Sequence, residues 1–160
     1  MKRAFQAMAA IVAAGILLTL GGCAATYVMP TIHAPDTSMS IQGSQASLMA
    51  AATQALTVDG FDITSSDAAA GTISTAPRAL HLTPADASCG TTMGLDYLKD
   101  NRTSTTVAYG VIVKPNSVRV VATMSGTYLP SNDVQSITLT CISRGVLEHK
   151  LLDQIAQLAH

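Results

Sequence analysis

The sequence predicts an α+β fold: an antiparallel sheet of about five strands with an N-terminal and a C-terminal helix on one face, in the order αββ–loop–βββα. Three observations predict it. Apolar residues recur every three or four positions in two segments, 44–57 and 145–159. Apolar and polar residues alternate in several segments between residues 61 and 141. Turns carrying Pro, Gly or Asn separate these alternating runs.

Ser44 is the expected N-cap of the first helix, which the pattern carries to about Thr57. Leu48, Ala51, Ala52, Ala55 and Leu56 share one face, and the alanines suit close approach to a sheet. Gly60 ends that helix. Phe61 and Ile63 then alternate with Asp62 and Thr64 as a strand, and residues 67–71 turn back to a partner at Thr72–Ala76 with Ile73 inward. From Pro77 to Arg102 the pattern is irregular, with Leu95, Tyr97 and Leu98 on a short helical turn. Long loops in compact domains tend to carry function.

Two strong strands follow. Thr103–Val113 places Val107, Tyr109, Val111 and Val113 on one face, and Val118–Tyr128 does the same with Val118, Val120, Ala122, Met124 and Tyr128. Lys114-Pro115-Asn116-Ser117 is the turn between them. A connection at residues 129–133 leads to a third strand with Ile137, Leu139 and Cys141 inward. The closing helix, Gly145 to Ala159, lines up Leu147, Leu151, Ile155 and Leu158, with Glu148 in its first turn.

The chain has 160 residues, enough for one ordinary domain, and at 48% hydrophobic and 12% charged it is too apolar to be disordered. A formal net charge of −1 leaves no basic footprint for nucleic acid. Aromatic side chains are only 4% and Trp is absent, which argues against a sugar-stacking platform.

The apolar excess sits at the start. Lys2 and Arg3 precede an almost unbroken apolar run from Ala7 to Leu20, and Leu20-Gly21-Gly22-Cys23 follows. That run falls short of the ~20 residues a spanning helix needs, so it fits a secretory signal. The segment Leu20–Cys23 resembles the lipobox of bacterial lipoproteins. The resemblance implies cleavage between Gly22 and Cys23, a diacylglycerol thioether and an acylated (palmitate-type) amine on Cys23, and so membrane attachment through that lipid. Ala24 stands where Asp favours inner-membrane retention in Gram-negative relatives, which implies the outer membrane, periplasmic face. On this reading residues 1–22 are signal peptide, 23–43 are the lipidated cysteine and a tether with a short extended piece at Tyr27–Ile32, and 44–160 are one periplasmic domain.

Cys89 and Cys141 remain after Cys23 is lipidated. An even pair in an oxidising compartment reads as a disulfide. The alternative is a redox or metal pair, but no CxxC or neighbouring His spacing supports a metal site.

The run Ala55-Leu56-Thr57-Val58-Asp59-Gly60-Phe61-Asp62-Ile63, with Asp67 and Gly71-Thr72-Ile73 after it, is similar to the helix–strand–strand opening of helix-grip domains. These occur in small envelope lipoproteins of the BamC type, accessory subunits of the outer-membrane barrel-assembly machine. Residues 44–76 carry this similarity, which implies a fold and protein contacts at the membrane but no catalytic residue.

His33, His81, His149 and His160 are scattered. His81, in the irregular segment with Asp86, Asp96 and Asp100, is the one candidate for general acid–base work, and exposure in a loop is its blander reading. Asp96 and Asp100 are spaced for one helical face. Ser143 and His149 do not make a triad from spacing, and no hydrolase, metalloprotease, P-loop or dinucleotide motif occurs. Arg102 and Arg144 are expected to pair with Asp96 or Asp100 and hold the irregular segment on the sheet, the alternative being a polar recognition rim on one edge of the domain. The expectation is a non-catalytic lipoprotein without cofactor or metal, acting as an accessory or interaction module with an envelope protein partner. The alternative is a small apolar or lipid ligand-binding module, and a hydrolase using His81 is the third reading.

Overall fold

The computed structural model describes residues 27–131 and 135–159. Gly22, Cys23 and the expected signal peptide lie outside them, as does His160. Among the described residues the elements run β1 (Tyr27–Val28), β2 (Ser38–Met39), α1 (Gln45–Val58), β3 (Ile63–Asp67), β4 (Thr72–Thr75), β5 (Arg78–Ala79) and β6 (Ala87–Ser88). Then come β7 (Thr91–Thr92), β8 (Leu95–Asp96), a 3-10 turn (Tyr97–Lys99), β9 (Thr103–Lys114), β10 (Ser117–Tyr128), β11 (Ile137–Ser143) and α2 (Val146–Leu158).

The hairpin β9–β10 is the spine. Its strands pair residue for residue from Lys114↔Ser117 to Thr103↔Tyr128. Thr103, Thr105, Val107, Tyr109, Val111 and Val113 are buried while Ser104, Ile112 and Lys114 face solvent, the period of two that the sequence shows. The turn works because Pro115 presets its own φ and Asn116 accepts φ 58.

All strand pairs are antiparallel. An eight-stranded sheet has the order β3-β4-β9-β10-β11-β6, with β5 also on β9 and β2 also on β10, and a three-stranded sheet has the order β1-β7-β8. The α+β class is as expected, but the sheet is larger than the expected five strands. The additional strands are two-residue pieces (β1, β2, β5, β6, β7 and β8), too short to print an alternation on the sequence.

Ser44 caps α1, its hydroxyl accepting the Ser47 amide at 3.2 Å. All five residues of the expected face are buried. Ala51, Ala52 and Ala55 let the helix sit close to β9, while α2 packs against β10 and against α1. Leu48, Leu56, Leu151, Leu152 and Ile155 are fully buried between them, each contributing about 1.5–3 kcal/mol of transfer free energy. In α2 the buried arc is Glu148, Leu151, Leu152 and Ile155, whereas Leu147 is half-buried and Leu158 exposed. This rotation from the expected face follows from Ser143, whose hydroxyl donates to Glu148 at 2.8 Å and draws it inward.

Residues 27–43, where a tether is expected, carry β1 and β2. Thr37 and Ile41 are buried. The Val120 amide donates to the Thr37 carbonyl at 2.9 Å, and the Thr37 hydroxyl donates back to the Val120 carbonyl. The cause lies in β10. On that edge β11 covers only Met124–Tyr128, and β2 covers Val118 and Arg119, which would otherwise leave backbone groups unpaired.

Candidate functional site

The irregular segment 77–102 is organised by one crosslink and one row of aromatics. Strand β6 pairs with the end of β11, Ser88 opposite Ile142 and Ala87 opposite Ser143. The next step of that register sets Cys89 against Cys141, with Cα atoms 4.0 Å apart and the sulfurs at disulfide distance. Both cysteines are buried. Gly126, across β10, leaves the room: a Cβ there would stand 3.3 Å from the Cys141 sulfur.

Past Cys89 the chain bends at Gly90 (φ 84), where any side chain would run into the Tyr27 ring and the Val28 backbone. That close approach lets β1 lie on β7, with Tyr27 level with Thr92 and Val28 with Thr91. β7 and β8 form a hairpin whose two turn residues, Met93 (φ 48) and Gly94 (φ 80), both have positive φ.

Three of the four tyrosines make a row behind this small sheet. Tyr27 meets the edge of Tyr97 at 5.8 Å, and Tyr97 meets Tyr128 at 4.9 Å. The Tyr27 hydroxyl accepts the Thr140 amide at 3.1 Å, closing an edge of β11 that β6 does not reach. Arg102 lies over the Tyr128 ring at 5.1 Å, forks onto Asp100 at 3.0 and 2.6 Å, and donates to the Pro130 carbonyl at 2.7 Å. The fork holds the Asp100 carboxyl well below the usual carboxylate range and raises Arg102 in turn. Burial pushes the Tyr128 phenol up. Arg102 therefore does what the sequence expects, through Asp100.

The other polar candidates are distributed. His81 is exposed, as are His33 and His149. Asp86 accepts from the Thr83 amide and hydroxyl at 2.9 and 2.7 Å. Asp96 caps the 3-10 turn through the Leu98 amide at 2.9 Å, and Asp100 follows that turn at its other end, so the two do not share a helical face. Arg144 reaches the segment through its backbone, its amide donating to the Asp86 carbonyl at 2.9 Å. Ser143 bonds Glu148 and accepts the Gly145 amide at 2.9 Å, which makes it the relay of a helix cap. Among the described residues, no group of three or more His, Cys, Asp or Glu converges as a metal site, and no helix is long and apolar enough to cross a membrane.

Two of the concavities among the described residues lie beside the small sheet and between the helices. One of about 440 Å³ is lined by Leu95, Asp96, Lys99, Asp100 and Asn101, beside the small sheet. Another, about 180 Å³, lies between the helices along Ala55, Val58, Gln154, Gln157 and Leu158, below the ~300 Å³ where ordinary ligand pockets begin. Sequence reasoning missed the tyrosine row and the stacking of Arg78 on Phe61 at 5.3 Å. The scarcity of aromatics was the available signal for the first.

Searches of protein-family models and of curated proteins find no match to this chain.

Proposed function

We propose that the chain is a lipid-anchored envelope protein, held by a lipid on Cys23 at the periplasmic face of the outer membrane. There it acts as a non-catalytic accessory or protein-interaction module. The observation that carries this reading is the Cys89–Cys141 pair at disulfide distance, a crosslink that persists in oxidising compartments, taken with the apolar leader and the Leu20-Gly21-Gly22-Cys23 box. The finer fold reading is helix-grip-like, with α1 and α2 on one face of the large sheet. Asp86, Asp96 and Asp100 are engaged in turns and caps, which favours a structural use of the irregular segment over a hydrolase at His81. A ligand module draws less support, because Leu48, Leu56, Leu151, Leu152 and Ile155 fill the space between sheet and helices.

Two experiments test the reading. Cys23→Ser is expected to give unprocessed or mislocalised protein, and normal processing with membrane retention would sink the anchor. Crosslinking of the native protein in its envelope, then purification, is expected to return one reproducible membrane complex. A clean monomer under the same treatment would remove the accessory role.

A further inference from the structure

We propose that the tip of the β7–β8 hairpin, Met93 to Leu95, sinks into the surface of the bilayer that holds the Cys23 lipid, making the β1-β7-β8 sheet the membrane-docking end of the domain. This inference rests on the lipid-anchored reading above.

Chain length sets the first constraint. Only Ala24, Ala25 and Thr26 separate Cys23 from Tyr27. An extended chain gains at most about 3.6 Å per residue, so Tyr27 stands within roughly 14 Å of the lipidated residue. Pairing of Tyr27 and Val28 with β7 leaves no longer tether before that point. The small sheet is therefore held at the membrane surface.

Strand direction sets the second. β1 runs antiparallel to β7 and begins level with Thr92, the last residue before the hairpin turn. The Cys23 side of the chain and the turn thus share one end of the sheet. The chain therefore enters the small sheet at the end that carries the tip.

The residues at that end fit lipid better than water. Met93 is 87% exposed and Leu95 71%. Met93 is also a poor choice for the turn itself. Its φ of 48 lies in the left-handed region where Gly, Asn and Asp are the ordinary residues, so neither the backbone nor burial in the protein accounts for a methionine there. Insertion into the interface accounts for it, since a flexible apolar side chain gains by leaving water. The support beneath the tip is rigid: the Cys89–Cys141 crosslink lies on one side and the Tyr27–Tyr97–Tyr128 row behind. Asp96, Lys99 and Asn101, in the concavity next to Leu95, are placed to remain among headgroups.

The test uses the lipidated full chain carrying Met93→Cys or Leu95→Cys, with Val121→Cys as control. Val121 is exposed on β10, seven residues from Tyr128, and so lies far from the small sheet. With Cys23 acylated and Cys89 bonded to Cys141, the new thiol alone takes an environment-sensitive NBD label. The protein is reconstituted in vesicles of phosphatidylethanolamine with a minor share of phosphatidylglycerol, with and without lipid bearing a doxyl quencher near the headgroup. Loss of emission to the quencher at positions 93 and 95, and none at 121, is the expected result. Acylated, vesicle-bound protein with all three labels in water would overturn the docking while leaving the anchor standing. Labels at 93 and 95 that are shielded without being quenched would assign the tip to a second copy or a protein partner, and would also overturn it. Protein with no acyl group on its N-terminal peptide and no flotation with vesicles would fail the anchor, and the docking with it.

Discussion

Reducing the Cys89–Cys141 bond is the perturbation whose size follows most directly from the structure. The bond joins residues 52 positions apart, so in the chain-entropy account its loss returns about 4 kcal/mol of freedom to the unfolded chain. Small domains are stable by only about 5–15 kcal/mol, so this is a large fraction. For a domain of roughly 130 residues it corresponds to a melting midpoint lower by about 14 °C. The assay is a thermal melt followed by circular dichroism, with and without reductant, on protein whose mass rises by two protons on reduction. A Cys89→Ala/Cys141→Ala variant is expected to melt near the reduced wild type and to ignore reductant. Strands β6, β7 and β8 should lose amide protection first, because the crosslink ties their segment to β11. A two-proton gain accompanied by a midpoint change under ~3 °C would refute the reasoning, since the bond would then close a loop already closed by packing.

Other perturbations follow from single contacts. Gly71→Ala is expected to destabilise by about 2–4 kcal/mol: φ is +68, a Cβ would strike the Val113 carbonyl, and the Gly71 carbonyl's bond from the Val113 amide at 2.7 Å would be disturbed. An unchanged denaturant midpoint in that variant would contradict the β4–β9 register. Ser143→Ala removes the hydroxyl donor of the buried Glu148 and should cost about 2 kcal/mol by urea unfolding, whereas an exposed-site substitution such as Ser65→Ala should cost almost nothing. Asp100 has its folded-state carboxyl held low by Arg102, so its stabilising contribution is present above the ordinary aspartate value near 4 and is lost as pH falls below it. Melts of wild type and Asp100→Asn should accordingly differ at neutral pH and converge in acid. The gap should shrink in high salt because the pair is part-exposed. A gap that widened toward acid would reverse the assigned sign.

The parts of this fold that could be read in advance are those where one physical rule acts over many residues. Leu48 to Leu56 repeats over enough turns to define a helix face, and Val107 to Val113 alternates long enough to define a strand. The cysteine pair was legible by elimination, once Cys23 was set aside. Strand β1 could not be read so: Tyr27 and Val28 form a strand only because Thr91 and Thr92 are brought beside them by a crosslink and a left-handed glycine. Asp100 and Arg102 are two residues apart, and their joint grip on Tyr128 depends on the far end of β10. The buried face of α2 is turned by one position from its apolar pattern because Glu148, a solvent residue by its chemistry, is held inward by Ser143.

The pairing of the first strand with late parts of the chain has a consequence in time. β1 is among the first pieces of the domain to be synthesised, yet its partners are Thr92 in β7 and Thr140 in β11, and β2 must wait for Val118. Helix α1 likewise waits for α2, where Gln154 donates to Asp59 at 3.0 Å. A chain threaded through a membrane from its N-terminus could not complete this domain until nearly the last residue had crossed. Sequence order thus delays folding until the C-terminal partners of β1, β2 and α1 are available.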